Sequence, residues 1–276
     1  MGLIHFTFYS QVLREETYIS IVMPTYKKRG SLPDYTGKTI ETEEDWYKNR
    51  GLLKTLYVLH GGSDDCTFYY RNTGIERYGQ ENGFAVVMPE VKNSFYCNQV
   101  YGKDYFTYLS EELPDIVQGV FPLSPKRADH FVVGNSMGSH GAIKWALNCP
   151  EFFSAAAGMS GVADVEDGGF FNDSIGMEGS PVHTSFGTLS QYRGSKNDLR
   201  WLAKTAVKRM KAGEYIPRLY SCCGTEDPYF EGTKCYKEYA DSIGLPLVFE
   251  TSHGSHQWEY WDKSLRRIIQ WMGLTE

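Results

Sequence analysis

The chain has 276 residues, 41% of them hydrophobic, and a formal net charge of −6, enough apolar side chain for one large α/β domain or two smaller ones. Lysines and arginines are scattered rather than clustered, which excludes the basic footprint of a nucleic-acid binder. No apolar run approaches the ~18 residues that would span a bilayer, and Met1 to Phe6 carries neither a secretory n-region nor the Ser or Thr that a myristoylation pattern requires. The expected address is therefore cytoplasmic.

Six cysteines, Cys66, Cys97, Cys149, Cys222, Cys223 and Cys235, are sparse for a disulfide scaffold of this length, and no Cys-x-x-Cys or Cys/His ligand spacing appears. They read as free buried thiols. Cys222 and Cys223 are neighbours on an expected strand and should point to opposite faces.

In chain order, His5–Ser10 and Thr17–Pro24 are short apolar or alternating runs around the polar turn Arg14-Glu15-Glu16 and read as an antiparallel pair. Lys27–Arg50 is polar, with glycines and Pro33, and reads as an exposed connection. Thr55–Leu59, Phe84–Met88 and Phe131–Gly134 are continuous apolar runs, the pattern of strands buried on both faces. Between the second and third, Tyr105, Tyr108, Leu109, Leu113, Ile116, Val117 and Val120 recur at helical spacing, with Pro114 predicting a kink.

After a small-residue helix ending at Asn148-Cys149-Pro150, a fourth strand spans Phe153–Met159. Asp164–Asn197 mixes six glycines with Phe, Ser and Asp and sustains no period, so it reads as an irregular insertion of the lid or binding-loop kind. Within it Asp164, Glu166 and Asp167 resemble a fragment of a calcium loop, but the spacing fails. A helix over Asp198–Gly213, a strand Arg218–Cys223, a helix Thr233–Ile243, a strand Leu247–Thr251 and a helix closing at Met272 complete the chain. Strands alternating with helices after an antiparallel start predict an α/β architecture, a mostly parallel sheet with helices on both faces.

The chemistry centres on Gly134-Asn135-Ser136-Met137-Gly138, a G-x-S-x-G pattern at a strand-to-helix junction. A turn this sharp leaves no room for a Cβ two positions either side, and it throws the serine hydroxyl out above the sheet edge. A serine needs a base, and the base needs a group that fixes its tautomer. Asp227, in the short loop Thr225–Pro228, and His256, just before the closing helix, supply these in the chain order Ser, Asp, His. Asp164 and His253 are the alternatives for acid and base. Of the other histidines, His60, His130, His140 and His183 read as structural or exposed. The loop His60-Gly61-Gly62-Ser63 follows a buried strand, where a backbone N–H can face a developing oxyanion.

Met88-Pro89, Asn93-Ser94-Phe95-Tyr96, Tyr101-Gly102, Glu111-Glu112-Leu113-Pro114, the serine turn, Cys223-Gly224-Thr225-Glu226-Asp227 and Gly254-x-His256-x-Trp258-x-x-Trp261 together resemble the tributyrin-esterase branch of the esterase D-like α/β-hydrolases. Those enzymes are relatives of S-formylglutathione hydrolases and of the feruloyl and acetyl-xylan esterases of carbohydrate esterase family 1. The resemblance covers roughly Thr17 to Met272 and implies one α/β-hydrolase domain over residues 1–276, into which the irregular Gly-rich segment 164–197 is inserted. It implies a serine carboxylesterase acting on short-chain acyl esters without cofactor or metal. Ser136 would be nucleophile, His256 base and then acid, and Asp227 its orienter. The Gly62 and Met137 N–H groups would form the oxyanion hole, and Trp258 would line the substrate pocket. Four positions depart from the usual pattern: Asn135 in place of an apolar residue, Ser139-His140 in place of Gly-Tyr, and Gln257 in place of an acid.

The competing readings are a feruloyl or acetyl-xylan esterase, an S-formylglutathione hydrolase or acyltransferase, and a non-catalytic binding module on the same scaffold. A small-molecule ester is the expected partner, with neither nucleic acid nor membrane. Enzymes of this branch often oligomerise, so a homo-oligomer is among the expectations.

Overall fold

The structure is a computed structural model that describes residues 1–25, 50–161 and 178–275. The expected connection Lys27–Arg50 falls, except for Arg50, outside the described residues, as does 164–177 of the expected irregular segment.

Strands β1 (Gly2–Ser10) and β2 (Glu15–Met23) form the amino-terminal hairpin. Its turn lies earlier than the sequence suggested: Glu15 and Glu16 are already paired with Ser10 and Tyr9, while Arg14 takes the positive φ of 54° that reverses the chain. Strand β3 (Thr55–Leu59) leads to two short helices, α1 (Phe68–Asn72) and α2 (Ile75–Asn82), and then to β4 (Ala85–Pro89).

The expected kinked helix is a helical run of three parts. Tyr105–Thr107 is α-helical, Tyr108–Glu112 is a π-helical turn, and α3 (Leu113–Val120) carries Pro114 in its first turn. The π turn admits a residue that breaks the i, i+3, i+4 register. Tyr105, Tyr108, Leu109, Leu113 and Val117 are buried while Val120, at the end of the expected stripe, is 57% exposed.

Next come β5 (His130–Asn135), α4 (Met137–Asn148) and β6 (Ala155–Met159). The described part of the expected irregular segment contains two short helices, α5 (Pro181–Phe186) and α6 (Leu189–Tyr192). Both have start signals in the sequence. The Ser180 hydroxyl accepts from His183 N–H with Pro181 following, and Thr188 with Gln191 forms a capping box. Helix α7 (Leu199–Lys211), β7 (Arg218–Gly224), α8 (Phe230–Ile243), β8 (Leu247–Ser252) and α9 (Trp258–Met272) close the chain.

One eight-stranded sheet runs β1-β2-β4-β3-β5-β6-β7-β8. β1 with β2 and β2 with β4 are antiparallel, and every later pairing is parallel. This is the α/β-hydrolase fold. Alternate residues of the central strands feed two cores. Tyr57, Leu59, Val87, Val132 and Ala156 pack with Leu113 and Trp145 on one face; Leu56, Val58, Val86, Val133 and Ala157 pack with Ile75, Trp261 and Leu265 on the other. Because β3 to β8 are parallel, their carboxyl ends share one edge, where the loops of an open α/β sheet gather. All cysteines are free. Four are buried as expected, but Cys149 is half-buried and Cys235 is exposed on α8, where a thiol replaces a polar group on the helix's outer face.

Candidate active site

Ser136 stands between β5 and α4 with φ 53° and ψ −119°, a strained region for a residue with a Cβ. Its N–H is bound to Met159 O at 2.9 Å, and its carbonyl accepts from Ser139 N–H at 3.0 Å, so the turn is fixed on both sides. The flanking glycines are required by contact. A Cβ on Gly134 would lie 2.2 Å from Gly138 O, and one on Gly138 would lie 2.1 Å from Leu59 O. Gly141 has a different reason to be small, since its Cβ would strike the Tyr96 ring at 2.4 Å.

His256 Nε2 lies 3.0 Å from Ser136 Oγ, and Nδ1 lies 3.0 and 3.2 Å from the Asp227 oxygens. The Asp227 side chain is fully buried, whereas the imidazole is 26% exposed. Burial by itself would raise the Asp227 carboxyl, but hydrogen bonds from His256, Ser160 and the Tyr229 N–H outweigh it and hold the group below the ordinary carboxylate range. The acid is thus kept ionised beside the imidazole. Two rings wall the histidine edge-on: Tyr229 at 5.0 Å and Trp261 at 4.9 Å. Trp261 Nε1 donates to Ser160 Oγ at 2.9 Å.

The acid and histidine loops are sewn together. Thr225 and Glu226 N–H donate to Ser252 and Gly254 carbonyls, both at 3.0 Å, and the close approach leaves a Cβ on Gly224 only 2.2 Å from Gly254 O. The Glu226 carboxylate accepts from Gly254 N–H at 2.7 Å and meets His253 Nδ1 at 3.0 Å. His253 is therefore a loop anchor, largely exposed and bonded away from the serine.

On the other side of Ser136 lies the loop after β3. A Cβ on Gly61 would sit 3.5 Å from Ser136 Cβ, so this backbone borders the nucleophile turn. The segment after β4 braces it: Tyr96 hydroxyl donates to His60 O at 2.8 Å, and Asn93 Oδ1 accepts from Ser63 N–H at 2.6 Å. Met137 is the first residue of α4, so its N–H has no acceptor within the helix. Gly62 has open space, with only Asn93 Oδ1 within 3.7 Å of a hypothetical Cβ.

Trp258 is one ring removed from the histidine. It packs on Trp261, Tyr69 and Phe68, and Trp261 is the residue against His256. The helical spacing of Trp258 and Trp261 was visible, but not which of them the loop geometry turns inward. His60, His130 and His140 are buried and bonded to backbone carbonyls, and His183 stacks on Tyr101. Ser160, with φ 51° at the end of β6, was missed by sequence reasoning; its only signal is its place at a strand end. Asn135 is fully buried, and neither amide atom has a hydrogen-bond partner among the described residues. Asp164, the alternative acid, and the Asp164-Glu166-Asp167 fragment lie outside the described residues.

Fold and site together define a serine hydrolase of the α/β-hydrolase class. The family model described as "Putative esterase" matches residues 44–272, and the chain belongs to that family. It is 27% identical over 277 residues to the acetyl esterase of Caldicellulosiruptor saccharolyticus, covering 99% of this chain and 98% of the relative. Among solved structures it is similar to the substrate-bound fluorophosphonate-binding serine hydrolase FphF of Staphylococcus aureus, with TM-score 0.81, 31% identity and coverage of 100% and 99% of the two chains. It is also similar to the S-formylglutathione hydrolase of the same organism, with TM-score 0.78, 31% identity and 98% coverage of each chain. The protein is an ester-hydrolysing serine hydrolase.

Proposed function

We propose that the protein hydrolyses short-chain acyl esters through an acyl-enzyme on Ser136. The observation that carries this reading is the unbroken chain Ser136 Oγ to His256 Nε2 at 3.0 Å and His256 Nδ1 to Asp227 at 3.0 Å. His256 takes the hydroxyl proton as Oγ attacks the ester carbonyl, then returns it to the departing alcohol. It next deprotonates the water that releases the acid. Asp227, buried and ionised, fixes the tautomer that leaves Nε2 free to accept and stabilises the imidazolium when it forms. The N–H groups of Met137 and Gly62 are assigned to the oxyanion, supported by the first position of Met137 in α4 and by the closeness of the Gly61 backbone to Ser136. Trp258 is assigned to the substrate cleft only through Trp261, against which it packs edge-on.

An acetyl or similarly short acyl group is supported by the acetyl esterase relative, which matches over nearly its whole length. The relative described as an S-formylglutathione hydrolase motivates a second reading, a thioesterase using the same serine. Turnover of p-nitrophenyl acetate and butyrate tests the first. Ser136→Ala is expected to lower kcat/KM by about 10³-fold or more and to abolish fluorophosphonate labelling; activity surviving the substitution overturns the assignment. S-formylglutathione run beside the esters separates the two substrate classes.

A further inference from the structure

Lys144 is a fully buried lysine on α4, two turns beyond the serine. Its Nζ meets Phe95 O at 2.7 Å, Cys97 Sγ at 2.9 Å and Asn197 Oδ1 at 3.3 Å, and no carboxylate pairs with it among the described residues. A buried ammonium without a counter-ion is costly. Burial accordingly pushes the Lys144 amine down from its ordinary value, partly opposed by Cys97, and pushes the Cys97 thiol up. Burial thus works against the charged form of each partner. A contact of 2.9 Å is close for a nitrogen against sulfur, a large and weak acceptor, and it is a span that a single bridging atom can fill.

We propose that Cys97 and Lys144 are a redox-modification site, joined on oxidation through one oxygen atom as a covalent Sγ–O–Nζ bridge. The thiol gives up its hydrogen and the amine one of its own, an oxygen atom enters between sulfur and nitrogen, and the other oxygen of dioxygen leaves as water. Sulfur and nitrogen each yield one electron pair and dioxygen takes both. With peroxide as oxidant, two molecules are consumed and three waters leave. Thiol reductants cleave the bridge by attack at sulfur: the S–O bond breaks, a mixed disulfide forms on Cys97 and lysine leaves as its N-hydroxylamine, and a second thiol then frees the cysteine.

A surface cavity of about 400 Å³ is lined by Phe106, Asn148, Cys149 and Lys196, among others, and Phe106 separates it from Lys144, its ring centroid 5.6 Å from Nζ. The bridge would staple the segment carrying Tyr96, which holds His60 O, to the helix that begins at the nucleophile turn. Nothing in this rests on the ester chemistry, so its failure would leave the proposed function untouched.

The test is made on the wild-type protein, so a misfolded variant cannot decide it. Reduced protein is exposed to oxygen-saturated buffer or peroxide, digested and mapped by mass. The expected product is a pair of peptides joined at Cys97 and Lys144, heavier than their sum by one oxygen less two hydrogens and released by dithiothreitol. Because the link closes a loop across the 47-residue separation of the pair, the oxidised protein should melt higher by on the order of 5 °C. Cys97→Ser should show neither the link nor the rise. Exposed Cys235 reports that oxidant was delivered. Oxidation of Cys235 without a Cys97–Lys144 link, a link lacking the oxygen, or a Cys97 sulfenic acid beside free Lys144 each overturns the proposal.

Discussion

Asp227 joins catalysis to stability. Its carboxyl is held below the ordinary range in the folded protein, so the unfolded chain binds the proton more readily. The stability this contributes is complete above about pH 4 and is lost as pH falls below that value toward the depressed folded one. Asp227→Asn should lose less stability between pH 5 and pH 3 than the wild type in urea titrations. At neutral pH its kcat should fall by about 10³–10⁴-fold, because an amide beside Nδ1 no longer selects the tautomer. Equal acid sensitivity in the two proteins would show that the carboxylate bonds seen here contribute nothing net. At this scale the sequence was most informative: Ser136, Asp227 and His256 each follow a strand, and local context chose them where chain order could not, Asp227 by its short loop ahead of Pro228 and His256 by its place just before the closing helix. Ser160, Trp261 and the Cys97–Lys144 pair were not legible. Their roles come from side chains brought together across the fold, with no spacing rule to announce them. Asn135 stands between these cases, visible as an unusual polar residue and found buried without a partner among the described residues.

Elements place these residues, and the junction of the acid and histidine loops is the least redundant of them. Glu226 alone holds both His253 and the Gly254 N–H, while the backbone bonds of Thr225 and Glu226 remain if its side chain is removed. Glu226→Ala should therefore fold with nearly unchanged Tm yet lose about tenfold in kcat, since a small displacement of His256 lengthens its reach to Ser136. Glu226→Gln should recover part of that loss by accepting from Gly254. A parallel fall in Tm and kcat would mean the residue is simply structural. Buried strands declared themselves as apolar runs because both faces are covered. Helices α1 and α2 went unseen because they are short and polar or aromatic residues interrupt their period, and α2 carries Gly79, where a Cβ would lie 3.1 Å from Phe84 O. The π turn was hidden for a related reason: periodicity reads only a constant register.

The molecule as a whole consists of two apolar cores divided by one sheet. Leu113 and Leu265 are fully buried, one in each. Leu113→Ala and Leu265→Ala should each cost about 2–5 kcal/mol, and the double variant should cost their sum to within about 0.5 kcal/mol, because the two leucines belong to separate apolar clusters on opposite faces of the sheet. Urea unfolding with one transition and an unchanged slope is the measurement. Coupling well beyond that margin would mean the sheet transmits strain between its faces. Arg14 apart, the non-glycine residues with positive φ among those described, Ser63, Lys92, Phe95, Tyr96, Ser136 and Ser160, all lie on loops at the carboxyl edge of the parallel strands. Backbone strain is thus concentrated where the chemistry is.

That shared edge has a kinetic consequence. His256 and Ser136 are 120 residues apart in the chain, and their loops hang from β8 and β5, with β6 and β7 between them. No partly folded chain that lacks any of these strands can bring imidazole to hydroxyl. Long-range parallel pairing is slow to form, so during refolding the return of ester turnover should trail the return of helical signal, and the first active molecule is one whose sheet is already complete.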